Sequence, residues 1–412
     1  MAHTALTPCR PPAPRPGLEI ADIFRAHGAA YRQRHTVNAD QRAAMDAIET
    51  CRTAARGGHT DICDTCGHQR PAFHSCGNRH CPKCQSLRQA QWIEQRLTRL
   101  LPTHYFHVVF TLPAALRPLA HRNRRRIFTL LFQTAAETLL TLGRDPDRLG
   151  AQLGITAVLH TWTRELQFHP HVHCIVTGGG LTADQQEWKA ARRRYLFPVK
   201  VLSRLFRGKF LAALSAAYRN HELQFAGSTH SLADAGAFQR LIDDLYRSEW
   251  VVYAKRPFGG PQQVFRYLGR YTHRVGISNQ RLQAIDAGGV RFATKGGRSI
   301  TLPPQTFIRR FLLHVLPAGF VKIRHYGLLA AGNALTRLDR ARELLQSSAS
   351  ADHPMPTTGG ALNWQTRLHQ LTGVDLTQCP RCPHGRMIRH VLSPARSPAR
   401  TDRGPPDLKR AA

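Results

Sequence analysis

The stretch that decides the fold lies at residues 168–180 and reads Phe168-His169-Pro170-His171-Val172-His173-Cys174-Ile175-Val176-Thr177, followed by Gly178-Gly179-Gly180. Side chains alternate between the two faces of a β-strand, so His169, His171 and His173 would share one face. A lone histidine is usually an ordinary surface or core residue, but three at a period of two provide nitrogen ligands on a rigid element. The pattern therefore predicts a strand that holds a divalent metal ion and stops at the glycine triplet.

A pair of tyrosines lies farther along the chain, in a segment that we expect to be helical after the turn Gly259-Gly260-Pro261. Tyr267 and Tyr271 are four residues apart, so on a helix they face the same side. Neighbouring cations make a phenol easier to ionise. Such cations flank the pair at Arg266, Arg270, His273 and Arg274. We interpret the two tyrosines as candidate nucleophiles, with packing of both rings against a sheet as the alternative.

These two features together suit phosphodiester transesterification. A metal ion on His171 and His173 would offset charge at the scissile phosphate, while a tyrosine oxygen attacks phosphorus and a 3′-hydroxyl leaves. The product, a 5′-phosphotyrosine, retains the ester bond, so rejoining the strand requires no nucleotide hydrolysis. Two tyrosines permit two strand transfers in succession.

Most cysteines form a block at residues 51–84. Two C-x-x-C pairs, separated by 14 residues, can close one tetrahedral zinc site. The ligands of that site would be Cys63, Cys66, Cys81 and Cys84. A second, interleaved site could use Cys51, His59, Cys76 and His80. Because arginines and lysines surround the block, we interpret it as a zinc domain that contacts DNA.

A second cysteine doublet, Cys379 and Cys382, is half of a zinc knuckle near the end of the chain. Either His384 and His390 complete this knuckle or the site is degenerate. This grouping of cysteines indicates thiolate–zinc chemistry in a reducing compartment rather than disulfides.

The charge balance points to a nucleic-acid partner. The 412 residues include 58 Lys and Arg against 26 Asp and Glu, a net charge of +32. Such an excess suits a polyphosphate better than an anionic membrane, because no basic amphipathic segment stands out. The sequence also contains no apolar run of membrane-spanning length and no signal-peptide core, so we expect a cytoplasmic, nucleoid-associated protein without a membrane partner.

The order of predicted helices and strands indicates an α+β protein with several domains. We expect a disordered tail at residues 1–18 and a helical, zinc-binding DNA-recognition domain at residues 19–100. A catalytic domain would follow at residues 101–346. Residues 347–412 would hold a linker, the C-terminal knuckle and a disordered basic tail.

His171-Val172-His173 resembles the histidine–hydrophobe–histidine motif of HUH endonucleases. A wider set of motifs resembles the two-tyrosine rolling-circle insertion-sequence transposases of bacteria, which carry an N-terminal transposase zinc-binding domain. The set comprises Cys51–Cys84, Phe106-His107-Val108-Val109-Phe110-Thr111-Leu112-Pro113, His169–Gly180, Tyr267-Leu268-Gly269-Arg270-Tyr271-Thr272-His273-Arg274-Val275 and Ile323-Arg324-His325-Tyr326-Gly327. The resemblance covers roughly residues 20–346, and the motifs are specific as a group.

The resemblance implies an HUH-endonuclease-like antiparallel sheet with flanking helices, preceded by a small zinc-binding domain. The implied activity is nicking and rejoining of single-stranded DNA at element ends and target, with Mg²⁺ or Mn²⁺ for catalysis and structural Zn²⁺. His171 and His173 would bind the catalytic metal, and Tyr267 and Tyr271 would be the nucleophiles. The third ligand is open: strand parity favours His169, and the alternatives are Glu165 and His273. The candidate DNA contacts are Arg266, Arg270, Arg274 and Arg324.

No Walker-type helicase motif is visible, so a host helicase or the replication machinery would have to open the DNA. Three other readings fit parts of the pattern. A plasmid replication initiator or relaxase would share the chemistry. A metal-independent tyrosine recombinase would act on duplex DNA, and a non-catalytic zinc-dependent DNA-binding protein would need neither histidines nor tyrosines.

Overall fold

A computed structural model describes residues 17–84, 99–255, 276–333, 335–347, 375–382 and 384–393, with the single positions 366, 369 and 373. Its N-terminal elements are α1 (Ile20–Arg34), α2 (Ala39–Thr50), β1 (Gly58–Cys63) and β2 (Gln69–Phe73). Asn38 caps α2, because its side-chain oxygen accepts a hydrogen bond from the backbone N–H of Gln41 at 2.9 Å. The helix predicted at residues 84–100 falls almost entirely outside the described residues.

The middle of the chain alternates strands with helices. The elements are β3 (Tyr105–Thr111), α3 (Arg117–Arg122), α4 (Arg124–Arg144), β4 (Gln152–Trp162), β5 (Phe168–Leu181), β6 (Trp188–Ala190), α5 (Val199–Arg219), α6 (Ala235–Arg247) and β7 (Val252–Lys255). The sequence pattern predicts one long basic helix over about residues 117–142, but the backbone leaves the helical region at Asn123, with φ −111° and ψ 44°. The Asn123 side chain stabilises this break by exchanging hydrogen bonds with the backbone of Gln224.

The remaining elements are β8 (Leu282–Asp286), β9 (Gly289–Ala293), β10 (Ser299–Leu302), α7 (Pro304–Leu312), β11 (Ile323–Gly327), α8 (Arg337–Ser347) and β12 (Met387–Leu392). The sequence predicts hairpins at Gly288-Gly289 and Gly296-Gly297, and both are confirmed, since β8, β9 and β10 pair antiparallel around them. Gly296 and Gly297 have φ values of 67° and 75°, which favour glycine in that turn.

The central sheet has the strand order β11-β4-β5-β3-β7, with β6 paired to β5, and these pairs are antiparallel. Helices α4, α5 and α6 pack in the main hydrophobic core together with this sheet. Phe110 of β3, for example, has its ring centroid 4.9 Å from that of Phe206 on α5. The α+β fold predicted from the sequence is confirmed, and β4 and β5 lie at the centre of its main sheet. Among the described helices, none is long and apolar enough to cross a membrane.

The glycine triplet does not end the histidine strand, in contrast to the prediction. Strand β5 continues through Gly178, Gly179 and Gly180 to Leu181. A Cβ atom on Gly180 would lie 2.5 Å from the backbone oxygen of Gln152 on the neighbouring strand. The triplet therefore serves the close approach of neighbouring chain segments rather than a turn.

The hydrophobic core of the predicted N-terminal domain, residues 19–100, extends beyond the boundary at residue 100. Helices α1 and α2 share a second hydrophobic core with β8, β9, β10 and α7. Phe24 of α1 and Phe311 of α7 contact edge to face, with centroids 5.3 Å apart. Because amphipathic helices bury their apolar faces wherever a complementary surface exists, these two pack against an element near residue 310 rather than forming a separate unit.

The C-terminal segment is likewise not separate from the N-terminal domain. Strand β12, which lies inside the segment predicted as linker, knuckle and tail, pairs antiparallel with β1. The resulting sheet has the order β12-β1-β2.

Candidate active site

Three histidines meet on the central sheet. Ring nitrogens of His160, His171 and His173 all lie within 4.8 Å of one another. His171 and His173 stand on β5, and His160 stands directly opposite His171 in the register of β4 and β5. Val172, between the two strand histidines, is fully buried in the core on the other side. The alternation predicted for this part of the strand therefore places two imidazoles together, and β4 supplies a third.

The described cluster does not include His169, the third ligand that strand parity favours, although the His169 and His171 rings are neighbours with centroids 5.3 Å apart. One extra residue of β5 is accommodated between the pairs His160–His171 and Trp162–Phe168, so no residue of β4 stands opposite His169. Nδ1 of His169 instead accepts a hydrogen bond from Arg117 at 2.9 Å, beside a cavity of about 520 Å³. Of the other candidates, Glu165 lies outside the cluster and His273 lies outside the described residues.

Hydrogen bonds to Nδ1 orient the two strand histidines. Nδ1 of His171 lies 2.7 Å from the backbone oxygen of His169, so this nitrogen carries the proton and donates it. Nδ1 of His173 lies 2.7 Å from Nε2 of His107 on β3. When His173 donates in this bond, its Nε2 keeps a lone pair, as on His171. Both rings then present Nε2 as a ligand, and His107 is a positioning residue that the sequence did not single out.

Burial keeps these imidazoles neutral, which is the form that binds a metal. Loss of hydration on burial lowers the pKa of His171 to about 4 and the pKa of His107 to about 4. The same cause lowers the pKa values of His160 and His173 well below the usual range of histidine. Metal ions compete with protons for these nitrogens only in acid.

The cluster fits a divalent metal ion. Nε2 of His173 is buried and has no hydrogen-bond partner within the described part of the chain, which is costly for a polar atom without a ligand. Three imidazoles and no carboxylate make up the group found among the described residues. Imidazole nitrogen suits transition metals better than Mg²⁺, which prefers oxygen ligands, so the donor set favours Mn²⁺ of the two expected ions.

The predicted nucleophiles and three of the predicted DNA contacts lie at residues 256–275, outside the described residues. They are Tyr267, Tyr271, Arg266, Arg270 and Arg274. The two ends of this segment are described. Lys255 pairs with His107 across β7 and β3, and a Cβ on Gly276 would touch Leu166 in the turn between β4 and β5. Both ends therefore adjoin the histidine strands.

Arg324, the remaining predicted DNA contact, is half-buried against aromatic rings. Its guanidinium lies over the rings of Phe132 at 4.7 Å and Phe320 at 5.3 Å. It also donates a hydrogen bond to the hydroxyl of Thr129 on α4 at 3.2 Å. These contacts assign Arg324 to the junction between β11 and α4.

In the described part of the chain, eight cysteines form two clusters, and neither is the predicted set of four. The first cluster combines Cys81 and Cys84 with Cys51 and Cys76, and the Cys51 and Cys84 sulfurs are 3.2 Å apart. The pair Cys63 and Cys66 belongs to the other cluster. Spacing along the chain defines each C-x-x-C pair, but packing decides what it meets: the end of α2 brings Cys51 to the pair Cys81 and Cys84.

The first cluster fits zinc. Its four sulfurs lie within 4.8 Å of one another, and hydrogen bonding by Cys76 lowers the pKa of Cys51, which favours the thiolate that zinc binds. Bound zinc would tie the end of α2 to the turn that carries Cys81 and Cys84, as structural zinc does in small domains.

His59 and His80, the two histidines of the predicted interleaved zinc site, have other partners. Nε2 of His80 accepts a hydrogen bond from the backbone N–H of Leu316, and burial lowers the pKa of His80 to about 3. His59 lies beside Asp61, with 3.8 Å between Nε2 and a carboxylate oxygen. His80 therefore joins the zinc-binding region to the catalytic core rather than binding metal.

Fold and site together define a zinc-binding α+β protein with a histidine cluster on an antiparallel sheet. Family models described as "Transposase zinc-binding domain" and "Putative transposase" match residues 23–112 and 154–336. The chain is 50% identical over 382 residues to "Putative transposase y4qJ" of Sinorhizobium fredii, covering 91% of this chain and 95% of that one. It is 30% identical over 303 residues to the transposase for insertion sequence element IS801 of Pseudomonas savastanoi pv. phaseolicola, covering 70% of each.

The chain therefore belongs to the insertion-sequence transposases that carry an N-terminal transposase zinc-binding domain. It is a DNA-processing enzyme, and DNA is its partner. Comparison with solved structures gave no significant match.

Proposed function

We propose that this transposase nicks and rejoins single-stranded DNA at the ends of its element through a 5′-phosphotyrosine intermediate on Tyr267 and Tyr271. The observation that carries the proposal is the cluster of three neutral imidazoles, His160, His171 and His173, on the central sheet. The proposal is an HUH-type mechanism with rolling-circle transposition as its outcome, in which a host helicase or the replication machinery exposes the single strand.

The described residues on either side of the tyrosine segment support the proposal. The chain enters the segment after Lys255, opposite His107, and leaves it before Gly276, beside Leu166. Five peptide units separate Tyr271 from Gly276, and an extended chain of that length spans at most about 18 Å. The described ends of the segment therefore lie beside β3 and beside the turn that joins β4 to β5.

The chemistry requires two functions of the chain. In the first, Nε2 of His171 and Nε2 of His173 would hold a divalent ion with His160, while the backbone oxygen of His169 and the His107 ring keep both imidazoles in register. That ion, when bound, would supply positive charge beside the phosphate. The donor set favours Mn²⁺ over Mg²⁺ at this position.

The second function of the chain is nucleophilic attack. A tyrosine hydroxyl loses its proton to solvent and forms a bond from its oxygen to phosphorus. The bond from phosphorus to the 3′-oxygen breaks, and that oxygen takes up a proton. Reversal with another 3′-hydroxyl rejoins DNA and frees the tyrosine. The arginines at positions 266, 270 and 274 would favour the phenolate and contact the DNA backbone.

The test is incubation of the full chain with labelled single-stranded element ends and Mn²⁺ or Mg²⁺, followed by denaturing electrophoresis. We expect a covalent protein–DNA adduct that disappears when Tyr267→Phe and Tyr271→Phe are combined, while binding of the single strand stays nearly intact. Tyr195→Phe is the matched control, because Tyr195 is an exposed tyrosine away from the cluster. An adduct that persists in the double variant would overturn the assignment of the nucleophiles.

A second arm tests the metal site. We expect His171→Ala combined with His173→Ala to abolish the adduct and to remove tight Mn²⁺ binding measured by calorimetry. His169→Ala should retain Mn²⁺ binding, because His169 is bonded to Arg117 and lies outside the cluster. Adduct formation after chelation of divalent ions would contradict a metal-assisted mechanism.

A further inference from the structure

The second cysteine cluster joins the two ends of the chain. Sulfur atoms of Cys63, Cys66, Cys379 and Cys382 all lie within 4.8 Å of one another. The Cys63 and Cys382 sulfurs are 3.5 Å apart, and the Cys66 and Cys379 sulfurs are 3.7 Å apart. The paired residues are 319 and 313 positions apart in the sequence. All four are free thiols, so the arrangement is not a pair of disulfides.

The backbone around the cluster points N–H groups at the sulfurs. The N–H of Cys66 donates to the sulfur of Cys63 at 3.4 Å, and the N–H of Arg381 donates to the sulfur of Cys379 at 3.4 Å. Each C-x-x-C pair thus forms a tight turn that directs two sulfurs to one side. Donors of this kind stabilise thiolates, the form in which cysteine binds zinc.

Gly385 leaves the room that the four sulfurs occupy. A Cβ atom at this position would overlap the sulfur of Cys63 and would lie 2.7 Å from the sulfur of Cys382. No larger residue fits there without moving a cysteine. The site is therefore built from both pairs and from the turn between Cys382 and β12.

The two ends are held together beyond the cysteines. Strands β1 and β12 pair from Gly58 opposite Leu392 to Cys63 opposite Met387. Asp61 of β1 is only 4% exposed and accepts hydrogen bonds from Arg70 at 3.2 Å and Arg389 at 3.0 Å. This buried carboxylate links all three strands of the small sheet, so the cysteine pairs meet on a preformed surface.

We propose that Cys63, Cys66, Cys379 and Cys382 bind a second zinc ion, which fastens the C-terminal segment to the N-terminal zinc-binding domain. Four thiolates in a closed tetrahedral set define a structural zinc site with no open position for substrate. The two clusters share no ligand, so the protein binds two zinc ions per chain. His384 and His390 are exposed and are not ligands of this site.

The first experiment measures zinc per chain by mass spectrometry of the metal in full-length protein purified under reducing conditions. We expect two zinc ions in the wild type and one when Cys379→Ser is combined with Cys382→Ser. Cys63→Ser combined with Cys66→Ser should lose the same single ion, and all four substitutions together should still leave one. That lack of additivity is the signature of one shared site.

Two controls separate this site from the alternatives. His384→Ala combined with His390→Ala should keep two ions, and so should Cys174→Ala, because Cys174 is buried in the main core away from both clusters. One zinc ion in the wild type, or two in the variant that lacks Cys379 and Cys382, would overturn the proposal. So would loss of zinc from the histidine double variant.

A variant that keeps all ten cysteines distinguishes a disturbed zinc site from loss of zinc through misfolding of a cysteine variant. Gly385→Ala should release one of two zinc ions to a chelator roughly tenfold faster or more, as disturbed surroundings of a metal site commonly do. Release of both ions at wild-type rates would contradict the proposal. Cobalt substitution provides an independent readout, because thiolate-to-cobalt absorption should fall by about half in the variant without Cys379 and Cys382.

Discussion

At the scale of single residues, hydrogen bonds decide which histidine nitrogens can bind a metal. The contact between Nδ1 of His173 and Nε2 of His107 is short, at 2.7 Å, and both rings are largely buried. A buried hydrogen bond of this kind sets the tautomer and the orientation of the ligand. The hydrophobic residue between the two strand histidines has a separate role, since Val172 anchors the strand in the core.

We expect His107→Ala to weaken Mn²⁺ binding about 10- to 100-fold, as loss of an orienting partner does at other metal sites. His107→Gln should restore much of the affinity, because the amide oxygen can accept the proton of His173 Nδ1. Calorimetric titration with Mn²⁺ checks both variants, alongside thermal melting to verify folding. Equal losses in both variants would mean that His107 only packs against His173.

At the scale of elements, β5 departs from an ideal strand in two places, and both departures matter for the site. The extra residue near Pro170 leaves His169 without a residue opposite it on β4. The glycine triplet allows β5 to run on between β4 and β6, where side chains would collide with neighbouring backbone.

Gly180→Ala tests the role of the triplet. Its Cβ would lie 2.5 Å from the backbone oxygen of Gln152, so the strands must shift, and we expect a loss of about 1–3 kcal/mol in the free energy of unfolding. Gly208→Ala in α5 is the control, since nothing lies within 4 Å of its Cβ position. That variant should gain about 0.5–1 kcal/mol from helix propensity. Urea unfolding measures the free energy of unfolding of both variants. An unchanged free energy in Gly180→Ala would argue against the close approach of β5 to β4.

At the scale of the whole molecule, buried histidines join parts that are distant in sequence. His80 of the zinc-binding region accepts a hydrogen bond from Leu316 N–H. His314, in the same core region, lies between Thr161 and the backbone oxygen of Leu166. Loss of hydration on burial lowers the pKa of each ring to about 3. Both are therefore neutral in the folded protein near neutral pH.

Stability should therefore fall in mild acid. Below pH 6.5 the unfolded chain takes up protons on these histidines while the folded chain does not, so unfolding becomes more favourable as pH falls toward about 3. At pH 5 each group should remove roughly 2 kcal/mol relative to pH 7. Thermal melting between pH 5 and 7 measures this effect, and His314→Gln should show a smaller slope. A melting temperature independent of pH over this range would contradict the argument.

The sequence by itself determined the features that depend on local spacing. Alternation along residues 171–174 separates Val172 and Cys174 from His171 and His173, and each C-x-x-C pair is a tight turn whatever its partner. The motifs were also sufficient to identify the family, and the order of predicted helices and strands was sufficient to predict the α+β fold. These conclusions hold because strand and helix periods are properties of the backbone.

Only the tertiary structure decided which distant residues meet. The register of β4 and β5 brings His160 opposite His171, a juxtaposition that spacing along β5 alone does not predict. Cys63 and Cys66 meet Cys379 and Cys382 because β12 returns to pair with β1. Spacing along a chain carries no information about such partners, since they are selected by the packing of segments that lie hundreds of residues apart.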